Sequence, residues 1–480
     1  MEKLLCNENN TLFQVMQIIN ENAKGIAFIV DDGNTLKGIV TDGDIRRVLL
    51  KGGELHLIVN EVMNKEYIYA LDDESTDSML NKMNEKIKLI PVVDRSHQVV
   101  SYFEYRTDLT VPVTTPTFQG NELKYLTEAL LSSWISSSGK YIPLFEEMFS
   151  SYSDCRHGVA VSNGTVALHL ALVALGIGPG DEVIVPDLTF AATINIVLHA
   201  GATPVIVDVE EDSWCIDPQE IEKAITERTK AIIPVHLYGQ PCDMGRIMEI
   251  ARAHNLYVIE DCAEAHGATF NGSKVGSFGD VGCFSFFANK IITTGEGGMC
   301  VTNSDALAMK MKLLRDHGMS KGNKYWHEVV GYNYRMTNMQ AAIGVAQTEK
   351  ITSLLSLRGN IEQKYKDILS IYPFIRFQEV HLNDRKKVTW LVSILVEQGN
   401  RDEVMNLLKQ RSVDSRPFFY SLSDMPLYSK YTFSNKNSTN ISAKGINLPT
   451  LINMSDESFN AISQVFNEYG EILNNGVEEG

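Results

Sequence analysis

The sequence predicts an α/β chain: a parallel-rich sheet in its large part, a small α+β domain behind it and a repeated α/β module in front. Three observations carry this. Short β-rich runs at 182–185, 204–207, 231–235 and 256–259 alternate with helical stretches of roughly 10–20 residues, the pattern of parallel strands covered by crossover helices. After about residue 370 the alternation stops, and strand candidates near Arg376 and at 390–396 flank a helix at 401–410. The first ~110 residues read helix, strand, turn, strand, twice over, an internal repeat. A chain of 480 residues holds about three domains at roughly 150 residues each. We place them at 1–108, 109–370 and 371–480.

The front module opens with an amphipathic stretch at 12–20. A β-rich run at 26–30 ends in the turn Asp31-Asp32-Gly33, and a second run at 36–40 leads through Thr41-Asp42-Gly43-Asp44 into a helical stretch at 45–50. The pattern recurs as helical spacing at 78–86 and strands at 89–93 and 99–103. Around 107–116, Pro112 and Pro116 disfavour helix and suit a linker or entry strand. The glycine-containing tail at 476–480 is expected to fray.

Composition narrows the function classes. Hydrophobic residues make up 44% and charged residues 21%, which excludes a disordered or collagen-like chain. Against 60 acidic residues stand 43 basic ones, a net charge of −17. That balance argues against non-specific nucleic-acid binding and against docking on an anionic membrane. Seven scattered cysteines without a CxxC pair point away from a metal cage and from a disulfide framework. No apolar run approaches the ~20 residues of a membrane helix, and the opening MEKLLCNENN has no secretory core. The expectation is a cytoplasmic protein without a metal.

Three features carry chemistry. Asp261 ends the apolar strand LYVIE, and an acid there points into the crevice where such folds bind ligands; alone, it reads equally as a helix cap. Lys290 lies in FSFFANKIITTGEGG between Phe284, Phe286, Phe287 and a glycine-rich turn. Burial among aromatics depresses an amine's pKa and makes it a nucleophile for aldehydes, although a lone lysine also packs its stem and snorkels. Ser162-Asn163-Gly164-Thr165 precedes the apolar helix 166–175, and a helix N-terminus opening on glycine offers N–H groups to a phosphate. A phosphate cradle, an acid and an activated amine together are what pyridoxal phosphate (PLP) requires, the acid keeping the pyridine nitrogen protonated so that the ring acts as an electron sink.

Two resemblances sharpen this reading. GIVTDGDIRRVLL at 38–50 with IPVVDRSHQVVSYF at 90–103 resembles a tandem pair of CBS domains. Such pairs bind purine nucleotides and regulate an attached enzyme, and the resemblance puts phosphate and ribose contacts at Thr41 and Asp44. The same residues also serve simply as a helix cap. The second repeat lacks the TxxD element.

From about 111 to 455 the chain resembles the DegT/DnrJ/EryC1/StrS sugar aminotransferases. The resemblance rests on SNGTVALHLALVALGIGPGDEVIVPDLTFAAT, IEDCAEAHGATFNGSKVGSFGDVGCFSFFANKIITTGEGGM and GYNYRMTNMQAAIG. NKIITTGEGGM and YWHEVVGYNYRMTN are nearest the GDP-perosamine synthase branch. The resemblance implies the fold-type I, aspartate aminotransferase-like transferase fold. It implies Lys290 as the cofactor-bearing lysine, where a sugar-dehydrating subgroup has histidine. It implies Asp261 as partner of the pyridine nitrogen and Gly164, Thr165 and Ser285 at the phosphate. It also implies Phe190 stacked on the ring, Glu264 near the phenolic oxygen where many relatives have glutamine, and Asn333 reaching the phosphate from a partner subunit. A glutamate at that oxygen has to be protonated or share its proton.

Lys140, Arg335 and His327 are candidates for the substrate diphosphate, beside a polar loop at Ser136, Ser137 and Ser138; each reads equally as a surface or interface residue. Arg416 matches a family position and reads equally as an anchor of the small domain. The implied function is transfer of an amino group from glutamate to C4 of a nucleotide-linked 4-keto-6-deoxyhexose by a homodimer. The alternatives are a UDP-linked 4-keto-N-acetyl sugar as substrate, or a nucleotide-sensing regulator on a PLP-type scaffold.

Overall fold

A computed structural model describes residues 4–478 except 23, 75–77, 80–81, 84–86, 88, 105–110, 321, 379–380 and 383. The chain forms two compact units, Met1–Asp108 and Leu109–Gly480.

In the first unit, β1 (Leu5–Asn7), α1 (Leu12–Asn22), β2 (Ile26–Val30), β3 (Leu36–Thr41) and α2 (Asp42–Leu50) make one repeat. Strands β4 (Ala70–Leu71), β5 (Leu89–Val93) and β6 (Val99–Glu104) make the second. Each sheet has three strands in the same order, the first pair parallel and the second antiparallel. The register shift between Ile29 and Val30 recurs between Val92 and Val93, so Val30 answers to Val93 and Thr41 to Glu104. The repeats join reciprocally: the Leu36 N–H donates to the His97 carbonyl at 3.0 Å and the Val99 N–H to the Asn34 carbonyl at 3.1 Å. Asn34 and His97 both sit at positive φ in these equivalent turns. The helix expected at 78–86 and the linker expected at 107–116 fall partly outside the described residues.

The second unit is built on a seven-stranded sheet. Its strands are β7 (His157–Val161), β8 (Glu182–Pro186), β9 (Thr203–Val207), β10 (Thr229–Ile232), β11 (Tyr257–Asp261), β12 (Val281–Ser285) and β13 (Gly298–Thr302). Their order is β7-β13-β12-β11-β10-β8-β9, and only β13 runs antiparallel to its neighbours. Side chains alternate between two cores: Ile184, Ile232 and Val258 face one, and Val183, Val185, Ala231 and Ile259 the other. That double burial is why these strands read as unbroken apolar runs. The run expected at 231–235 closes as a strand at Ile232, because Pro234 brings no N–H to the ladder. Helices α3 (Gly164–Leu175) and α4 (Ala192–His199) follow β7 and β8.

Toward the C-terminus lie α5 (Asn338–Glu349), α6 (Ile351–Leu369), β14 (Ile375–Phe377), β15 (Val392–Val396), α7 (Arg401–Gln410), β16 (Arg416–Pro417), β17 (Gly445–Leu448) and α8 (Asp456–Glu478). The strands form an antiparallel sheet, β14-β15-β17-β16. Its core takes in Ile361, Tyr365 and Leu369 of α6 as well as Phe466 and Tyr469 of α8. We therefore take the small C-terminal domain to draw on α6 as well as on residues 371–480. The α8 backbone is helical to Glu478, and the rest of the tail expected to fray lies outside the described residues.

Candidate active site

The N-terminus of α3 meets the carboxyl end of β12, beside β11, and the chain leaving β8 leads into α4. Asn163 caps that helix, its Oδ1 accepting the Val166 N–H at 2.9 Å. Gly164 opens it against Ser285: a Cβ on Gly164 would lie 2.7 Å from the Ser285 Cβ. Gly164, exposed Thr165 and buried Ser285 are thus brought together where the first-turn N–H groups have no helical acceptor.

Asp261 ends β11 and is buried. Its Oδ2 accepts the Thr193 hydroxyl at 2.9 Å and its Oδ1 the Ala263 N–H at 3.2 Å. Burial raises its pKa, opposed by these donors and by the charge on Lys290. Thr193 is itself 3.1 Å from the hydroxyl of Thr189, which lies in the bend before α4. Sequence reading missed Thr193; two threonines four residues apart between β8 and α4 were its signal.

Lys290 follows Phe287 in a tight turn, its N–H donating to the Phe287 carbonyl at 2.9 Å. Its Nζ lies 3.6 Å from Glu264 Oε1. Burial lowers its pKa, with Glu264 and Asp261 opposing. The aromatic neighbours differ from those expected. Phe284 and Phe286 pack away into the core on Phe149 at 4.9 and 5.0 Å, and Phe287 is exposed. The ring against the amine is Trp390, whose centroid is 3.9 Å from Nζ. Trp390 was legible only as the start of an apolar strand.

Glu264 is buried, and its Oε2 accepts the Tyr238 N–H at 2.9 Å. Burial pushes its carboxyl up to about 7, with Lys290 pulling the other way. Phe190, just past β8, leaves 59% of its surface exposed and touches Phe419 at 5.7 Å between centroids. An anion cradle, a buried acid, a largely covered amine and an open aromatic face fit the chemistry of PLP, which Gly164, Thr165 and Ser285 would hold by the phosphate, Asp261 by the ring nitrogen, Phe190 by the ring face and Lys290 by the aldehyde.

The other expected residues lie apart from Lys290 within one chain. Asn333 Oδ1 accepts Arg335 Nε at 3.0 Å, and Arg335 also pairs with Asp316 at 3.0 Å. Their segment runs beside the end of β7, the Ser162 N–H donating to the Tyr334 carbonyl at 3.0 Å. Lys140 pairs with Glu128 at 2.8 Å and covers the Tyr141 ring. The loop at Ser136–Ser138 is pinned to α5, the Asn338 N–H donating to the Ser136 carbonyl. Exposed His327 bonds the His317 carbonyl at 2.9 Å, and Arg416 contacts Asp414 at 3.3 Å. In the first unit, Thr41 and Asp44 form a reciprocal capping box on α2, and Asp44 also pairs with Arg47.

His236, Glu260 and Cys262 cluster behind the site. Glu260 accepts the N–H groups of Gly276, Phe278 and Gly279. His236 accepts the Cys242 N–H at Nδ1, so its Nε2 carries the proton facing Glu260. That network is fully used in holding the 275–279 loop. All seven cysteines are free and buried. Among the described residues no helix is long and apolar enough to cross a membrane.

Fold and site together define a PLP-dependent aminotransferase acting on nucleotide sugars. The chain belongs to the DegT/DnrJ/EryC1/StrS aminotransferase family, whose sequence model matches residues 116–467, and a CBS domain model matches residues 2–51. It is 44% identical over 362 residues to GDP-perosamine synthase of Escherichia coli O157:H7, covering 75% of this chain and 98% of that one. To a UDP-N-acetyl-3-dehydro-alpha-D-glucosamine 3-aminotransferase of Acidithiobacillus ferrooxidans it is 55% identical over 199 residues, 41% of this chain and 53% of that one. A Streptococcus pneumoniae structure in a PLP form superposes with a TM-score of 0.71 at 28% identity, over 76% of this chain and 99% of that one.

Proposed function

We propose that the protein transfers an amino group from glutamate to C4 of a GDP-linked 4-keto-6-deoxyhexose, as a GDP-perosamine synthase does, for a surface polysaccharide. The observation that carries this is the set Lys290, Glu264 and Asp261 in one crevice, in a chain that aligns with 98% of a GDP-perosamine synthase. Bound PLP supplies the carbonyl that exchanges with the amine and an electron sink for the substrate carbon.

The chain's own residues do the rest. Asp261, braced by Thr193, holds a proton on the ring nitrogen. The helix α3 N-terminus and Ser285 bind the phosphate. Phe190 covers one face of the ring. Lys290 Nζ, its charge disfavoured by burial, takes a proton from the substrate carbon and returns it, and Glu264 holds a proton beside the phenolic oxygen. Asn333 acts from the partner subunit of a homodimer, and Lys140, His327 and Arg335 meet the substrate diphosphate at that interface. The front module binds a purine nucleotide at Thr41 and Asp44.

A UDP-linked amino-sugar precursor is the second reading, favoured by the 55% identity over 199 residues to a UDP-sugar enzyme. Incubation with glutamate and GDP- or UDP-linked 4-keto sugars, side by side, with product mass as readout, tests both. Conversion of the GDP sugar alone supports the first reading, and conversion of the UDP sugar alone overturns it.

A further inference from the structure

We infer that Trp390 is a positioning residue for Lys290, fixing the amine from the C-terminal part of the chain and stabilising its protonated form. The inference rests on Lys290 being the amine that takes the cofactor.

One side chain holds both Lys290 and the residue before it. The indole N–H donates to the carbonyl of Asn289 at 2.7 Å, the residue before Lys290, while the ring face lies 3.9 Å from the Lys290 Nζ. Trp390 is itself held. Its carbonyl accepts an N–H of Arg358 at 2.7 Å. That guanidinium is 3% exposed and also reaches the Thr114 hydroxyl at 3.4 Å. Among the described residues its Nε has no partner, so this buried cation is spent on neutral acceptors, one of them the backbone of Trp390. The indole also stacks on Tyr238, with centroids 6.1 Å apart and planes at 21°.

Tyr238 closes the enclosure. Its N–H donates to Glu264, the carboxyl facing Lys290. Its backbone stands at φ 52°, a left-handed conformation that a bulky residue adopts only where the surroundings enforce it. The amine therefore sits between an aromatic face and a carboxyl whose two supports are in contact.

The charged and titratable groups around Nζ are few. Glu264 and Asp261 favour the ammonium. His266, pushed down to about 3 chiefly by burial, is neutral through the working range. Arg358, behind Trp390, is pushed down to about 10 by burial. Against the desolvation of Lys290, the indole is a further stabiliser of the charge, and tryptophan is the strongest aromatic partner of a cation. A tryptophan present only for packing would leave the amine's protonation unchanged when replaced by another apolar residue.

The test uses full-length, cofactor-free wild type, Trp390→Phe and Trp390→Leu. Trace acetic anhydride labels unprotonated amines from pH 6 to 10, and mass spectrometry of the Lys290 peptide is read against exposed lysines of the same molecule. Trp390→Leu is expected to move the Lys290 midpoint down by about one pH unit, and Trp390→Phe by less in the same direction. An unchanged or raised midpoint overturns the inference. Should Trp390→Leu fail to fold, Trp390→Phe decides by the same criterion. Separately, wild type is mixed with PLP and reduced with borohydride. Absence of the mass tag on Lys290 would remove the functional reading, whereas a tagged Lys290 with an unmoved midpoint would remove only the role of Trp390.

Discussion

Glu264 and Asp261 are both buried carboxyls of β11 and the turn after it, yet their hydrogen-bond surroundings differ. Asp261 accepts a hydroxyl and an N–H, which leaves it able to face a protonated ring nitrogen. Asp261→Asn removes the charge and keeps the shape. Its barrier to transamination should rise by on the order of 3 kcal/mol, about a hundredfold in kcat, as when a main electrostatic group is lost; single-turnover kinetics at matched PLP saturation check this. Glu264 has its pKa raised from 4.5 to about 7, mainly by burial. The fold therefore prefers the protonated form, so this group's stabilising contribution is full below pH 4.5 and lost as pH rises through 7. Glu264→Gln keeps the neutral form at all pH values. Relative to wild type, the cofactor-free variant should gain up to about 3 kcal/mol between pH 5 and pH 8, read by urea unfolding at both. Of these residues, Lys290, Asp261 and Glu264 were legible because each stands in a motif. Trp390 was not, because its distance from Lys290 in sequence is bridged only by the fold.

At the scale of elements, the apolar runs gave away β8, β9 and β11, because strands buried on both faces carry an unbroken signal. The ends were less legible: Pro234 stops β10 for a reason of hydrogen bonding that hydrophobicity does not report, and α6 feeds the C-terminal core although it precedes the change of pattern at 370. The start of α3 depends on glycine for space. Gly164→Ala would bring a methyl within 2.7 Å of the Ser285 Cβ, an overpacking cost of roughly 1–3 kcal/mol. PLP affinity should fall about tenfold or more, with a lowered Tm. Gly359, exposed within α6, has nothing within 4 Å of its would-be Cβ. Gly359→Ala should instead stabilise by about 0.5–1 kcal/mol and leave PLP binding unchanged. Absorbance titration with PLP and thermal melts of the two variants check the opposite signs.

At the scale of the whole molecule, every residue assigned to cofactor or substrate lies in the second compact unit, so a chain beginning at residue 109 should keep kcat within about threefold of the full-length value. A regulatory role for the front unit would require a ligand whose affinity differs between two states of the enzyme. Its two halves share strand order and turn geometry, and where the first half has the sequence Thr41-Asp42-Gly43-Asp44 the matching place in the second reads Glu104-Tyr105-Arg106-Thr107. Thr41 and Asp44 close the capping box on α2, whereas the position of Thr41 is taken in the second half by Glu104, paired with Lys24 at 2.6 Å. A carboxylate there repels phosphate, and its ion pair engages Lys24. The Asp44–Arg47 pair is an exposed i,i+3 contact and gives way cheaply to a ligand. Calorimetry of the full-length protein with AMP, ATP, GDP and GTP should therefore show one purine nucleotide per chain rather than two. Asp44→Ala should abolish that binding without changing the activity of the nucleotide-free enzyme. Two equivalent sites per chain would contradict the asymmetry. Silence with all four nucleotides, together with unchanged kinetics, would leave the capping box as the whole role of Thr41 and Asp44.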